Sequence, residues 1–161
     1  MSKPFLEQYG GQTIDQLIAM QHTHRIDSIV LAIEQALAGR DTVSEAELTV
    51  LAVEALERSV NNGGYRQFFD SSSEYVPSIV GALERIGCPN CAAITGDAVE
   101  ALALPADSGA ISDFMSHLPD EIEDQLGKCD SRYYGNRESI ESGLFAYIEK
   151  NRHEIRLPNS R

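Results

Sequence analysis

At 161 residues, with 42% hydrophobic and 24% charged side chains, the chain fits one domain, or one domain with a helical arm, and is long enough to bury a core without staples. Thirteen basic residues against 25 acidic ones give a net charge of −12, which argues against the basic footprint that direct contact with nucleic acid or an anionic membrane requires. No apolar run approaches the roughly 18 residues of a membrane span. The opening MSKPFLEQYGGQTID has neither the apolar core nor the cleavage site of a signal peptide, so a cytoplasmic protein is expected.

The periodicity is helical nearly throughout. Ile14, Leu17, Ile18, Ile26, Ile29, Val30, Ile33 and Leu37 recur at helical steps, with Thr13 as N-cap and Gly39 closing. In SEAELTVLAVEALERSVNNGG, Ser44 and Glu47 have the spacing of a capping box. Leu48, Leu51, Ala52, Ala55 and Leu56 line one face, and Asn62 or Gly63 ends the helix. YRQFF reads as a short helical turn. Ser73 is then placed to cap a helix over 74–86 that carries Pro77 in its first turn and stops at Gly87. Pro89 suits the start of a helix to about residue 103, and helices over 107–118, 119–129 and 137–153 complete the chain. The expectation is an all-α, single-domain helical bundle of about seven helices, with an N-terminal arm over 1–43 and a compact unit over 44–157.

Chemistry-bearing motifs are sparse. Cys88-Pro89-Asn90-Cys91 has the spacing of a thiol-disulfide pair, but a thioredoxin-like motif follows a strand and this one follows a helix. A zinc site needs four ligands, and Cys129 and His117 could complete one only by a coincidence of the fold. His22 and His24 stand two apart on a predicted helix and face opposite ways, so they cannot chelate one ion. Ser71, Ser72 and Ser73 have no nearby histidine and no nucleophile-elbow glycines. Asn61-Asn62-Gly63-Gly64 lacks the Gly-Lys-Ser/Thr ending of a phosphate loop and follows a helix. No catalytic residue, cofactor or metal is assigned, and the chain is read as a non-enzyme.

What stands out is where the charge lies. From Asp97 to Asp130 there are nine acidic residues, Asp97, Glu100, Asp107, Asp113, Asp120, Glu121, Glu123, Asp124 and Asp130, against Lys128 alone. That segment carries −8 of the −12, whereas residues from Ser131 onward are net +2. Acidity confined to one region is weaker evidence for mere solubility than acidity spread evenly, although a solvated face remains the plain reading of it. On an ideal helix of about 100° per residue with Asp120 at 0°, Asp124 falls near 40°, Glu121 near 100° and Glu123 near 300°, while Ile122 and Leu126 fall near 200° and 240°. The turns therefore have a carboxylate face and an apolar back.

ELTVLAVEALERSVNNGGYRQFFDSSSEY, then ALERIG, SRYYG and LFAYIEKNRHEIR, together resemble a bacterial family of acidic DNA-mimic proteins, over about residues 44–157. The resemblance implies an all-α homodimer that binds a basic DNA-binding protein, such as a helix-turn-helix transcription regulator, and competes with its DNA. On that reading Asp97, Glu100, Asp107, Asp113, Asp120, Glu121, Glu123 and Asp124 are the expected partner-binding residues. The rival expectations are an immunity or antitoxin-like inhibitor of a basic partner and a thiol oxidoreductase using Cys88 and Cys91.

Overall fold

Thr13 opens the first helix with its side chain: it accepts the Gln16 N–H at 3.1 Å while Gln16 Oε1 accepts the Thr13 N–H at 2.8 Å. From there the computed structural model describes residues 2–104 and 108–158. Among them it contains eight α-helices and no strand: α1 (Ile14–Ala19), α2 (Ile26–Leu37), α3 (Glu45–Ser71), α4 (Val76–Arg85), α5 (Pro89–Ala101), α6 (Ser108–Met115), α7 (Asp120–Gly135) and α8 (Ile140–Lys150). The all-α expectation holds.

Contacts group the chain into two units, Met1–Leu51 with Ser139–Arg161 and Ala52–Glu138, so that α3 contributes residues to both. In the first, α2 packs on α1 and α8. Its core is built from Leu17, Ile29, Ile33, Leu37, Val50, Leu144, Phe145 and Ile148, all buried. The capping box at Ser44 and Glu47 forms as the sequence indicates, with Ser44 N–H to Glu47 Oε1 at 2.8 Å and Glu47 N–H to Ser44 Oγ at 3.1 Å. Glu47 is only 2% exposed, and its Oε2 also accepts the Arg156 N–H at 2.7 Å and Arg40 Nη1 at 3.3 Å. Ser44 Oγ donates to the Glu154 carbonyl at 2.7 Å. One buried carboxylate thus ties the start of α3 to the C-terminal segment.

In the second unit, α5 packs against α4 and α7, and α6 packs on a 3-10 turn over Ser73–Tyr75. Tyr65, Phe68, Phe69, Ile79, Leu83, Cys91, Ala98, Leu126 and Tyr133 are buried there. At about 1.5–3 kcal/mol for each large side chain removed from water, the aromatic residues of the Gly-Gly stretch are a main source of its cohesion.

Several expected boundaries move. The first predicted helix is two, because Met20–His22 tightens into a 3-10 turn and Arg25 is extended. The Arg25 N–H donates to the Pro4 carbonyl at 3.0 Å. No strongly apolar side chain falls between Met20 and Ile26 to hold a helical face against the core. His22 ends that turn and His24 lies beyond it, so neither sits on an α-helix. The helix from Glu45 does break where the sequence indicates, at Gly63 (φ −152, ψ 18) and Gly64 (φ 79, ψ −174), and a second helical run follows to Ser71, so α3 is two halves about a kink. Ser73 does not cap α4, which starts at Val76 with Pro77 in its first turn and no side-chain cap. Helix α7 extends through the tyrosines of SRYYG, and α8 ends at Lys150 before a 3-10 turn over Arg152–Glu154.

Candidate functional site

The acidic residues hang mainly on α5 and α7, and α7 packs on α5 and meets α3 at its kink. Gly64 needs its left-handed φ of 79°, which L side chains rarely adopt. It also needs to lack a Cβ, because one built there would lie 2.9 Å from Asp130 Oδ1 and closer still to Oδ2. That space admits the Asp130 carboxylate, which accepts the Tyr65 N–H at 2.7 Å. An N–H at a break in a helix needs an acceptor from outside the ladder, and Asp130 is that acceptor. Burial pushes the Asp130 carboxyl above its ordinary value, with the Tyr65 N–H pulling the other way.

Other contacts join the same two helices and tie α3 to α5. The Tyr65 ring meets Tyr133 edge-on at 5.9 Å, and its hydroxyl is 2.7 Å from Thr95 Oγ1 on α5. The Tyr134 hydroxyl donates to the Val60 carbonyl, the Tyr133 hydroxyl to Glu57, and Arg66 pairs with Glu123.

Against that frame the predicted carboxylates separate into groups. Asp120, Glu121, Glu123 and Asp124 all sit in the first two turns of α7 and are exposed. Pro119 offers no side-chain cap there, so these charges meet the positive end of the helix dipole directly. Leu126 is buried and Ile122 half-buried, as the apolar back requires. Glu123 is paired with Arg66. Asp97 on α5 is paired with Arg132 on α7 at 2.7 Å, both about half-exposed. Glu100 is exposed beside Asp97 on the open α5–α7 groove, which Lys128 and Arg132 also line. Asp113 is exposed on α6. Asp107 lies outside the described residues. Glu100, Asp113, Asp120, Glu121 and Asp124 have no ion-pair partner among the described residues.

Sequence reasoning missed the cations that pair with these carboxylates, Arg66 and Arg132. On the same ideal wheel, of about 100° per residue, Asp130 falls near 280° and Glu123 near 300°, while Lys128 and Arg132 fall near 80° and 120°. The α3 edge of α7 thus carries Asp130 and Glu123, and the α5 edge carries Lys128 and Arg132. The wheel leaves Asp120 and Asp124 as the outward ridge. Extending it to Asp130 would have placed that residue beside the apolar back. Nothing local marks Arg66, which is 57 positions from Glu123.

The setting of the thiols is unlike that of a disulfide-exchange pair. Cys88, Cys91 and Cys129 are free and buried. Burial pushes the Cys88 thiol up to about 11 and the Cys91 thiol up to about 12. A disulfide-exchange cysteine needs the opposite shift. The start of α5, whose dipole would favour a thiolate, is taken by Glu138, which accepts the Asn90 N–H at 2.9 Å and the Cys91 N–H at 2.8 Å.

Among the described residues no helix is long and apolar enough to cross a membrane. No curated protein and no solved structure gives a significant match to the chain. The family model described as DMP19-like protein matches residues 41–151. That span takes in the Glu47 capping box, the Gly63–Gly64 kink, the Asp130 contact and the acidic turns of α7, and the chain belongs to the DMP19-like protein family.

Proposed function

We propose that the protein is a DNA mimic: it binds a basic DNA-binding protein, such as a helix-turn-helix regulator, and competes with that protein's DNA. Membership of the DMP19-like family carries the reading, and the unpaired carboxylates of α7 support its location. Asp120 and Asp124 form the outward ridge, with Glu121 beside them and Glu100 across the α5–α7 groove. These charges meet the lysines and arginines that otherwise contact phosphate. Asp97 and Glu123 are secondary contacts, because Arg132 and Arg66 must first be displaced. Exposed pairs of this kind are worth only about 0–1 kcal/mol, so a cationic partner can open them. Contacts between exposed charges weaken as salt shortens the screening length from about 10 Å at 0.1 M.

The test is to capture partners at low salt and measure displacement of DNA from a captured DNA-binding protein. The triple variant Asp120→Asn, Glu121→Gln, Asp124→Asn should lose displacement while keeping its helical circular dichroism. Neutral replacements are preferable to lysine, which would oppose the dipole at the start of α7. A wild-type protein that displaces no DNA at stoichiometric excess, or a triple variant that displaces it equally well, refutes the reading.

A further inference from the structure

We propose that Asp130 is a positioning residue, latching the second half of kinked α3 to α7 and so fixing the direction in which α7 presents Asp120, Glu121 and Asp124. The inference rests on the proposed role of α7 as the partner-binding ridge. Of the nine acidic residues between positions 97 and 130, Asp130 is one whose carboxylate is aimed into the protein. It meets the Tyr65 N–H at 2.7 Å, in a space that exists only because Gly64 has no side chain. The two glycines and the aspartate are therefore one device, although 66 positions separate Gly64 from Asp130.

Its location makes it a pivot. Toward the N-terminus of α7, the contact to α3 is the exposed Glu123–Arg66 pair, which is weak and opens in salt. Toward the C-terminus, Tyr133 and Tyr134 reach back to Glu57 and Val60, on the part of α3 before the kink. Asp130 joins α7 to the kink itself. With that bond absent, α7 would still pack on α5 and meet the Tyr65 ring through Tyr133, but beside the acidic turns its contact to the second half of α3 would be a surface ion pair, and their direction would vary. A partner reading several carboxylates at once requires them in fixed register, so a loose α7 binds more weakly at unchanged net surface charge on the ridge. The burial that raises the Asp130 carboxyl also fits a group kept for a hydrogen bond and not for display.

The experiment compares Asp130→Ala, Asp130→Asn and, as a control in the other unit, Ile33→Val. Two quantities are read: amide hydrogen exchange across 120–128, and the concentration giving half-displacement of DNA from the captured partner. Asp130→Ala should lose protection over 120–128 and need about tenfold more protein for half-displacement, equivalent to about 1.4 kcal/mol. Asp130→Asn retains an oxygen acceptor and should restore both, although it lacks the charge. Ile33→Val should leave exchange over 120–128 unchanged. If Asp130→Ala fails to fold, Asp130→Glu, which crowds Gly64 by one methylene, should show the same loss of protection.

Wild-type protection over 120–128 in the alanine variant overturns the latch. Undiminished displacement by that variant, in a system where the wild type displaces DNA, overturns its role in binding and leaves the proposed function standing. A wild type that displaces no DNA removes the proposed function, and hydrogen exchange alone then decides the latch.

Discussion

Glu47→Gln should destabilise the protein by about 2–4 kcal/mol at neutral pH, and the deficit should disappear in acid. The carboxylate is 2% exposed and serves three donors, the Ser44 N–H on Oε1 and both the Arg156 N–H and Arg40 Nη1 on Oε2. Glutamine keeps one acceptor, so whichever way its amide turns, an NH2 group faces a donor. A hydrogen bond to a charged group is worth about 1.5–3 kcal/mol, and a buried donor left unsatisfied costs about 1–3. Relief from burying the charge returns part of this, giving the net range above. For a chain of this size each kcal/mol corresponds to about 2–4 °C in Tm. Burial alone would push the Glu47 carboxyl up, but the Arg156 and Ser44 N–H groups and the Arg40 charge outweigh it and hold the carboxyl below its ordinary 4.5. Because the folded value is depressed, the stabilisation is complete above the unfolded value and is lost as pH falls through the folded one. Urea unfolding followed by circular dichroism, at pH 7 and in steps below 4.5, measures the gap between wild type and variant. A gap under about 0.5 kcal/mol at pH 7, or one that widens as pH falls, refutes the reasoning.

Gly64→Ala should cost more than about 2 kcal/mol, because the left-handed φ alone costs about 1–2 and the new methyl displaces the Asp130 carboxylate. Gly127→Ala is the contrast: it lies exposed inside α7 with nothing near its Cβ, and should stabilise by about 0.5–1 kcal/mol in the same thermal unfolding assay. Cys88 and Cys91 should stay inert to an aromatic disulfide reagent at pH 8 in the native protein and react on unfolding, since burial holds their thiols up to about 11 and about 12. Rapid native-state labelling of either would show that the site opens.

The helical fold was legible because its signals are local. Capping at Thr13 and Ser44, proline at the starts of α4 and α5 and the 3.6-residue period of the apolar side chains each act within one or two turns. The errors fall where a distant group decides. Arg25 turns away from a helix with its N–H on Pro4, and while the break at Gly63–Gly64 was legible, the Asp130 carboxylate that meets it was not. The candidate site was legible as a composition and not as a surface. Position on α7 indicated which carboxylates face away from the core. It gave no sign that Arg66 and Arg132 would reach Glu123 and Asp97, because those pairings depend on how α3, α5 and α7 meet.

The uncapped start of α7 bears on how freely such a surface can change. Like charges crowded on one face ordinarily repel and work against the fold. Here Asp120, Glu121 and Glu123 occupy a first turn whose peptide dipoles favour anions. Mutations that exchange one acidic residue for the other, or add one there, are therefore opposed little by stability. On the proposed function, a lineage can retune its carboxylate pattern toward a new cationic partner at these positions while the half-buried Asp130 and the kink beneath remain as they are. The ridge is free to drift because its foundation is elsewhere.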